Sequence, residues 1–80
     1  MGDFSPERAM AMERRHILEG EKRIARQETL VAGLTAHGRG DLLRLANEML
    51  TCLRESLELS RERLRDLESR YAKPHDVRRG

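Results

Sequence analysis

The chain has 80 residues, with 16 basic against 14 acidic side chains, a single cysteine and only 2% aromatics. That length fits one small domain, Cys52 alone rules out an intrachain disulfide and fits a reducing compartment, and a net charge of +2 from interleaved signs makes no nucleic-acid footprint by itself. No apolar run approaches the ~18 residues that cross a bilayer, and Met1-Gly2-Asp3-Phe4 lacks the basic and apolar regions of a secretory signal, so a cytoplasmic protein with no membrane engagement is expected.

Ser5-Pro6-Glu7 predicts a helix start. Ser5 can accept from an orphan amide, Pro6 suits the first helical position, and Glu7 favours the positive end of the helix dipole. No further proline interrupts the chain before position 36, so a first helix over about 6–36 follows. His37-Gly38-Arg39-Gly40-Asp41 is the one clear break. Gly38 can take the left-handed conformation that ends a helix, and Asp41 can cap the next one. The second helix then runs over about 42–72, where Lys73-Pro74 stops it, and residues 73–80 form a frayed tail. A turn this short at 37–41 forces antiparallel neighbours. The fold class is all-α: a single domain over 1–80, an antiparallel two-helix hairpin with coiled-coil-like packing.

The packing register can be read from spacing. Leu43, Ala46, Leu50, Leu53, Leu57, Ser60, Leu64, Leu67 and Tyr71 step by threes and fours along the second helix, the seam of a helix packed along another. The first helix has a poorer seam: Met10, Glu13, Ile17, Gly20, Ile24, Gln27, Val31 and Leu34. Folding about the turn sets Leu34 against Leu43, Val31 against Ala46, Gln27 against Leu50 and Ile24 against Leu53. It then sets Gly20 against Leu57, Ile17 against Ser60, Glu13 against Leu64 and Met10 against Leu67. Gly20 inside a helix costs about 1 kcal/mol relative to Ala, and a close approach by Leu57 is the structural reason expected for it; a hinge is the alternative.

A second apolar row lies one residue out of phase on the second helix: Leu42, Leu45, Met49, Cys52, Ser56 and Leu59. One residue is a rotation of about 100°, so a hairpin partner covers only one of the two rows. Ala11, Leu18, Ala25 and Ala32 make a weaker counterpart on the first helix. Contiguous exposed apolar strips mark contact surfaces. The expected interface is therefore Leu42, Leu45, Met49, Cys52 and Leu59 with Leu18, Ala25 and Ala32. Its expected use is a homodimer that completes a four-helix bundle, with docking of another helical protein as the other use. The remaining faces carry helix-spaced opposite charges, such as Glu19–Arg23 and Asp66–Arg70, as a solvated exterior does.

Candidate chemistry is sparse. Glu13-x-x-His16 has the spacing of a di-metal ligand pair in a helical bundle, but the facing seam is Leu57, Ser60, Leu64 and Leu67, without further carboxylates. His16, His37 and His75 are scattered, Cys52 has no adjacent ligand, and no zinc spacing exists. Neither a nucleophile held beside a base nor a Gly-rich phosphate loop is present. No metal, cofactor, small-molecule substrate or catalysis is expected. Arg14, Arg15, Arg23 and Arg26 on the first helix, and Arg61 and Arg65 on the second, are the candidate nucleic-acid contacts. RNA-binding hairpin dimers such as the Rop-type plasmid regulators are an analogy of fold alone. Interleaved Glu58, Glu62, Asp66 and Glu68 dilute the field and stacking aromatics are missing, so a nucleic-acid-binding regulator is the alternative and a non-enzymatic helical interaction or regulatory module the first reading.

The run His16-Ile17-Leu18-Glu19-Gly20-Glu21-Lys22-Arg23-Ile24-Ala25-Arg26-Gln27 resembles a segment of small proteobacterial helical-hairpin proteins of unknown function. Leu53-Arg54-Glu55-Ser56-Leu57 with Leu64 is similar to their second half. The resemblance covers most of the chain from His16 to Leu67. It implies a helical protein and carries over no catalytic or binding residue.

Overall fold

The computed structural model describes residues 4–71. Two helices account for nearly all of it: α1, Pro6–Ala36, and α2, Gly40–Tyr71, of 31 and 32 residues. They pack along their length as an antiparallel hairpin. The expected stop at Lys73-Pro74 and the tail to Gly80, with His75, lie outside the described residues.

Local chemistry sets each helix end. The Ser5 side chain accepts from the Arg8 amide at 3.2 Å with Pro6 following it, which satisfies one of the orphan amides of the first turn. At the other end Gly38 adopts φ 67°. The Gly38 amide donates to the Thr35 carbonyl at 3.2 Å and the Arg39 amide to the Leu34 carbonyl at 3.0 Å, the paired closure of a left-handed glycine cap. The His37 ring nitrogen Nδ1 lies 2.7 Å from the Gly33 carbonyl oxygen. This closure shortens the turn. The Arg39 carbonyl already accepts the Leu43 amide at 2.8 Å, so α2 begins at Gly40. Asp41 therefore sits inside the first turn rather than capping it, where its carboxylate still faces the positive end of the dipole. At the open end of the hairpin Phe4 tilts against Tyr71, with ring centroids 5.6 Å apart.

The interior follows the 3-4 seams. Met10 and Gln27 of α1, and Ala46, Leu50, Leu57 and Ser60 of α2, are buried, and Glu13, Ile17, Gly20, Ile24, Val31, Leu34, Leu43, Leu53, Leu64 and Leu67 are half-buried. Gly20 lies against Leu57 as the register requires: a Cβ built at Gly20 would stand 3.2 Å from Leu57 Cδ1. Gln27 reaches one turn beyond its level, and its amide donates to the Ala46 carbonyl at 2.8 Å. A buried amide satisfied in only one alignment of two leucine-rich helices pins that alignment, as buried polar residues do in coiled coils.

Candidate interaction surface

An antiparallel hairpin has two long edges, and the ion pairs identify one of them. Arg14 pairs with Glu68 at 3.2 Å, Glu21 with Arg61 at 3.1 Å and Glu28 with Arg54 at 2.9 Å. Arg14, Glu21 and Glu28 follow the α1 seam by one residue, and Arg54, Arg61 and Glu68 follow the α2 seam by one residue. Rows displaced in the same sense thus meet on the same edge. By the same geometry the α2 row Leu42, Leu45, Met49, Cys52 and Leu59, which precedes its seam by one residue, shares the other edge with Met12, His16, Glu19, Arg23, Arg26 and Leu30 of α1.

The structure therefore does not bring all the expected interface residues together. Leu42, Leu45, Met49, Cys52 and Leu59 share one edge and are exposed. Leu18, Ala25 and Ala32, also exposed, lie in the row of Arg14, Glu21 and Glu28 on the opposite, ion-paired edge. The large apolar α1 residues that do join this edge are Met12, far from the turn, and Leu30; Leu30 is the one beside α2's apolar row at the turn. It lines a shallow apolar groove with Leu34, Leu42, Leu45, Ala46 and Met49, next to the turn. Its signal in the sequence is its place one residue before Val31, the same offset that Leu42 has from Leu43. Leu45 is 57%, Met49 53% and Leu59 53% exposed, so the apolar edge continues past the groove along α2.

Farther from the turn the same edge dips over Gly20, where the missing side chain opens a polar hollow flanked by His16, Glu19, Arg23, Ser56 and Arg63. Beneath it lies a partly buried polar group. The Glu13 side chain, 15% exposed, accepts from Arg63 Nε at 3.1 Å, and Arg63 also donates to buried Ser60 Oγ at 3.2 Å. The second carboxylate oxygen of Glu13 is buried without a hydrogen-bond partner; His16 Nδ1 approaches it at 3.8 Å. Among the described residues no three His, Cys, Asp or Glu side chains gather as a metal ion requires, and Glu13 and His16 are engaged as a polar layer with Arg63.

That layer gives an expected asymmetry. Replacing Arg63 by Met strands a mostly buried carboxylate, and the loss is expected to be about 1–2 kcal/mol, below the 3–5 of a fully buried pair because the guanidinium is half in water. Replacing both, Glu13→Leu with Arg63→Met, puts an apolar residue on the seam opposite Leu64 and is expected to restore or exceed the parent stability. Urea unfolding of the three proteins checks this, and a double variant no better than Arg63→Met would rule out the stranded carboxylate as the cause.

The candidate nucleic-acid contacts divide in the same way. Arg14 is held by Glu68, Arg61 by Glu21 and Glu58, and Arg65 by Glu58 at 3.3 Å. Arg15, Arg23 and Arg26 are exposed and make no ion pair among the described residues. Of the helix-spaced pairs, Asp66–Arg70 closes at 3.2 Å and Glu19–Arg23 does not. No helix among the described residues is long and apolar enough to cross a membrane. Comparison with family models, with curated proteins and with solved structures finds no match to this chain.

Proposed function

We propose that this hairpin is a non-enzymatic interaction module that works by helix packing, and that its first partner is a second copy of itself, giving a four-helix bundle. The observation that carries the reading is the asymmetry of the two edges. One edge settles its charges internally through Arg14–Glu68, Glu21–Arg61 and Glu28–Arg54. The other leaves Leu30, Leu42, Leu45 and Met49 around one groove beside the turn and Leu59 farther along α2, each about half exposed. Such an edge on a small domain is a contact surface, and a chain of this size gains much of its stability by covering it. The lone Cys52 lies on that edge and suits a reducing compartment such as the cytoplasm.

Light scattering tests this. The parent is expected at twice its 9.3 kDa chain mass, and the double variant Leu45→Glu, Leu59→Glu at the monomer mass, because a carboxylate cannot be desolvated there without a partner. A monomeric parent at about 100 µM, where a specific dimer of micromolar affinity is saturated, defeats the reading. Nucleic-acid binding is the competing reading and rests on Arg15, Arg23 and Arg26, the candidate arginines that make no ion pair among the described residues. It requires affinity that falls steeply with salt, and a gel shift at low salt with both RNA and DNA separates the two.

A further inference from the structure

The charges bordering the apolar edge are distributed unequally between the two helices. On α2 the outward row is Glu48, Glu55 and Glu62; on α1 it is Arg15 and Lys22, with Arg23, Arg26 and one acid, Glu19, beside it. All are exposed, and none makes an ion pair among the described residues. In the rows of the ion-paired edge only Arg44 lacks an ion pair among the described residues. One border of the apolar strip is thus acidic and the other predominantly basic, and neither is ion-paired among the described residues.

This polarity discriminates between the two ways a second copy can lie face to face on the strip. With the twofold axis across the helices, the turns lie at opposite ends and each helix crosses its own counterpart. The basic border of α1 then lies over the basic border of the other α1, and the acidic border of α2 over the other acidic border. With the twofold axis parallel to the helices, the turns lie together and α1 of one copy covers α2 of the other, acidic border against basic border.

The heights agree as well, because rotation about an axis parallel to the helices leaves every residue at its own level. Gly20 and Leu57 are level within the hairpin. Lys22 lies two residues beyond Gly20 and Glu55 two residues before Leu57, so Lys22 of one copy stands at the height of Glu55 of the other. Arg15 and Glu62, each five residues away in the opposite sense, match likewise. Leu30 and Leu45 come within about 3 Å of one height at 1.5 Å per residue, so the apolar grooves next to the turns close on each other. Arg26 extends toward Glu48 with its aliphatic stem over the strip, as arginine does at bundle borders.

The geometry points to a second copy of this chain seated turn-to-turn on the apolar edge, α1 over α2, with Glu55 and Glu62 of each copy meeting Lys22 and Arg15 of the other. The inference rests on the self-association proposed above and adds the orientation and the pairs that set it. Like charges brought together across an interface select against the other arrangement more strongly than the matched pairs add affinity.

Spin labels at Arg39→Cys in a Cys52→Ser background test it, after light scattering shows that this protein is still dimeric. Helices in contact lie 8–10 Å apart, so the turn-to-turn arrangement places the labels within about 25 Å. The opposed arrangement separates them by a helix length, about 45 Å at 1.5 Å per residue. A short distance supports the inference. A dimer with the long distance overturns the orientation and leaves self-association standing, and a monomeric parent overturns both. A charge exchange gives an independent readout at low salt. Glu55→Lys with Glu62→Arg is expected to weaken the dimer about tenfold or more, and adding Arg15→Glu with Lys22→Glu to restore it to within about threefold. Failure of the second exchange to restore it removes these pairs from the interface.

Discussion

Leu50→Ala is expected to remove most of the helical circular dichroism at 37 °C, with a loss of about 2–5 kcal/mol in unfolding free energy. Leu50 is 5% exposed and lies in the layer where Gln27 crosses to the Ala46 carbonyl. Truncating a buried leucine forfeits the transfer free energy of three carbons and leaves a cavity that neighbours fill only in part. Two long helices joined by one short turn cannot collapse sideways into that cavity without dragging the whole seam. A single core in a chain of this length supplies only about 3–5 kcal/mol in all, so one truncation consumes most of it. Leu18→Ala is the matched control: the same atoms are removed from an exposed leucine on the ion-paired edge, and the change is expected to stay within about 0.5 kcal/mol. Both are measured by urea unfolding at one fixed protein concentration, since the proposed association would add a concentration-dependent term. A cooperative Leu50→Ala transition at the parent midpoint would place Leu50 outside the core.

The seams were legible because leucine repeats every 3.5 residues on average only when a helix faces another helix, and nothing in the turn interrupts the count. The same arithmetic brought Gly20 to Leu57, a contact between residues 37 positions apart in the chain. The start of α2 was less legible. Asp41 has the chemistry of a cap, but the Gly38 closure commits the Arg39 backbone first and draws the helix back to Gly40. The polar layer was hidden because its charges come from two rows, Glu13 on the seam and Arg63 beside it. The apolar edge was half legible. Periodicity gives the rows of each helix but not which rows share an edge, and that depends on the sense in which an antiparallel partner lies. Pairing the Leu42 row with Leu18, Ala25 and Ala32 joins rows displaced in opposite senses, whereas like-displaced rows meet, which exchanges those three for Leu30 and Met12.

Gly20 carries the second large effect. Its helix position has no positive φ to justify glycine, so the reason must be space, and Leu57 occupies that space: a Cβ would stand 3.2 Å from Leu57 Cδ1 and 3.9 Å from its Cβ. Gly20→Ala sets a helix-propensity gain of about 1 kcal/mol against a contact that is tight by a few tenths of an ångström. The close atom is a terminal methyl, and the hollow lined by Leu53, Ser56 and Ser60 lies beside it, so Leu57 can turn away. The alanine variant is expected to match the parent within about 1 kcal/mol. Gly20→Leu asks for four carbons where the first already touches. The hollow cannot take them without displacing Leu57 toward the buried Ser60, and the helices must part at mid-length. The expected loss is about 1–3 kcal/mol, the range for overpacked cores, with the unfolding midpoint lowered in proportion. Leu57→Ala on the Gly20→Leu background supplies the missing volume and is expected to recover part of the loss, although Leu57→Ala alone is destabilising. Only direct contact between the two positions gives that sign of coupling in a double-mutant cycle. Purely additive losses would mean that Gly20 is not a packing glycine, and the hinge reading would then have to explain it.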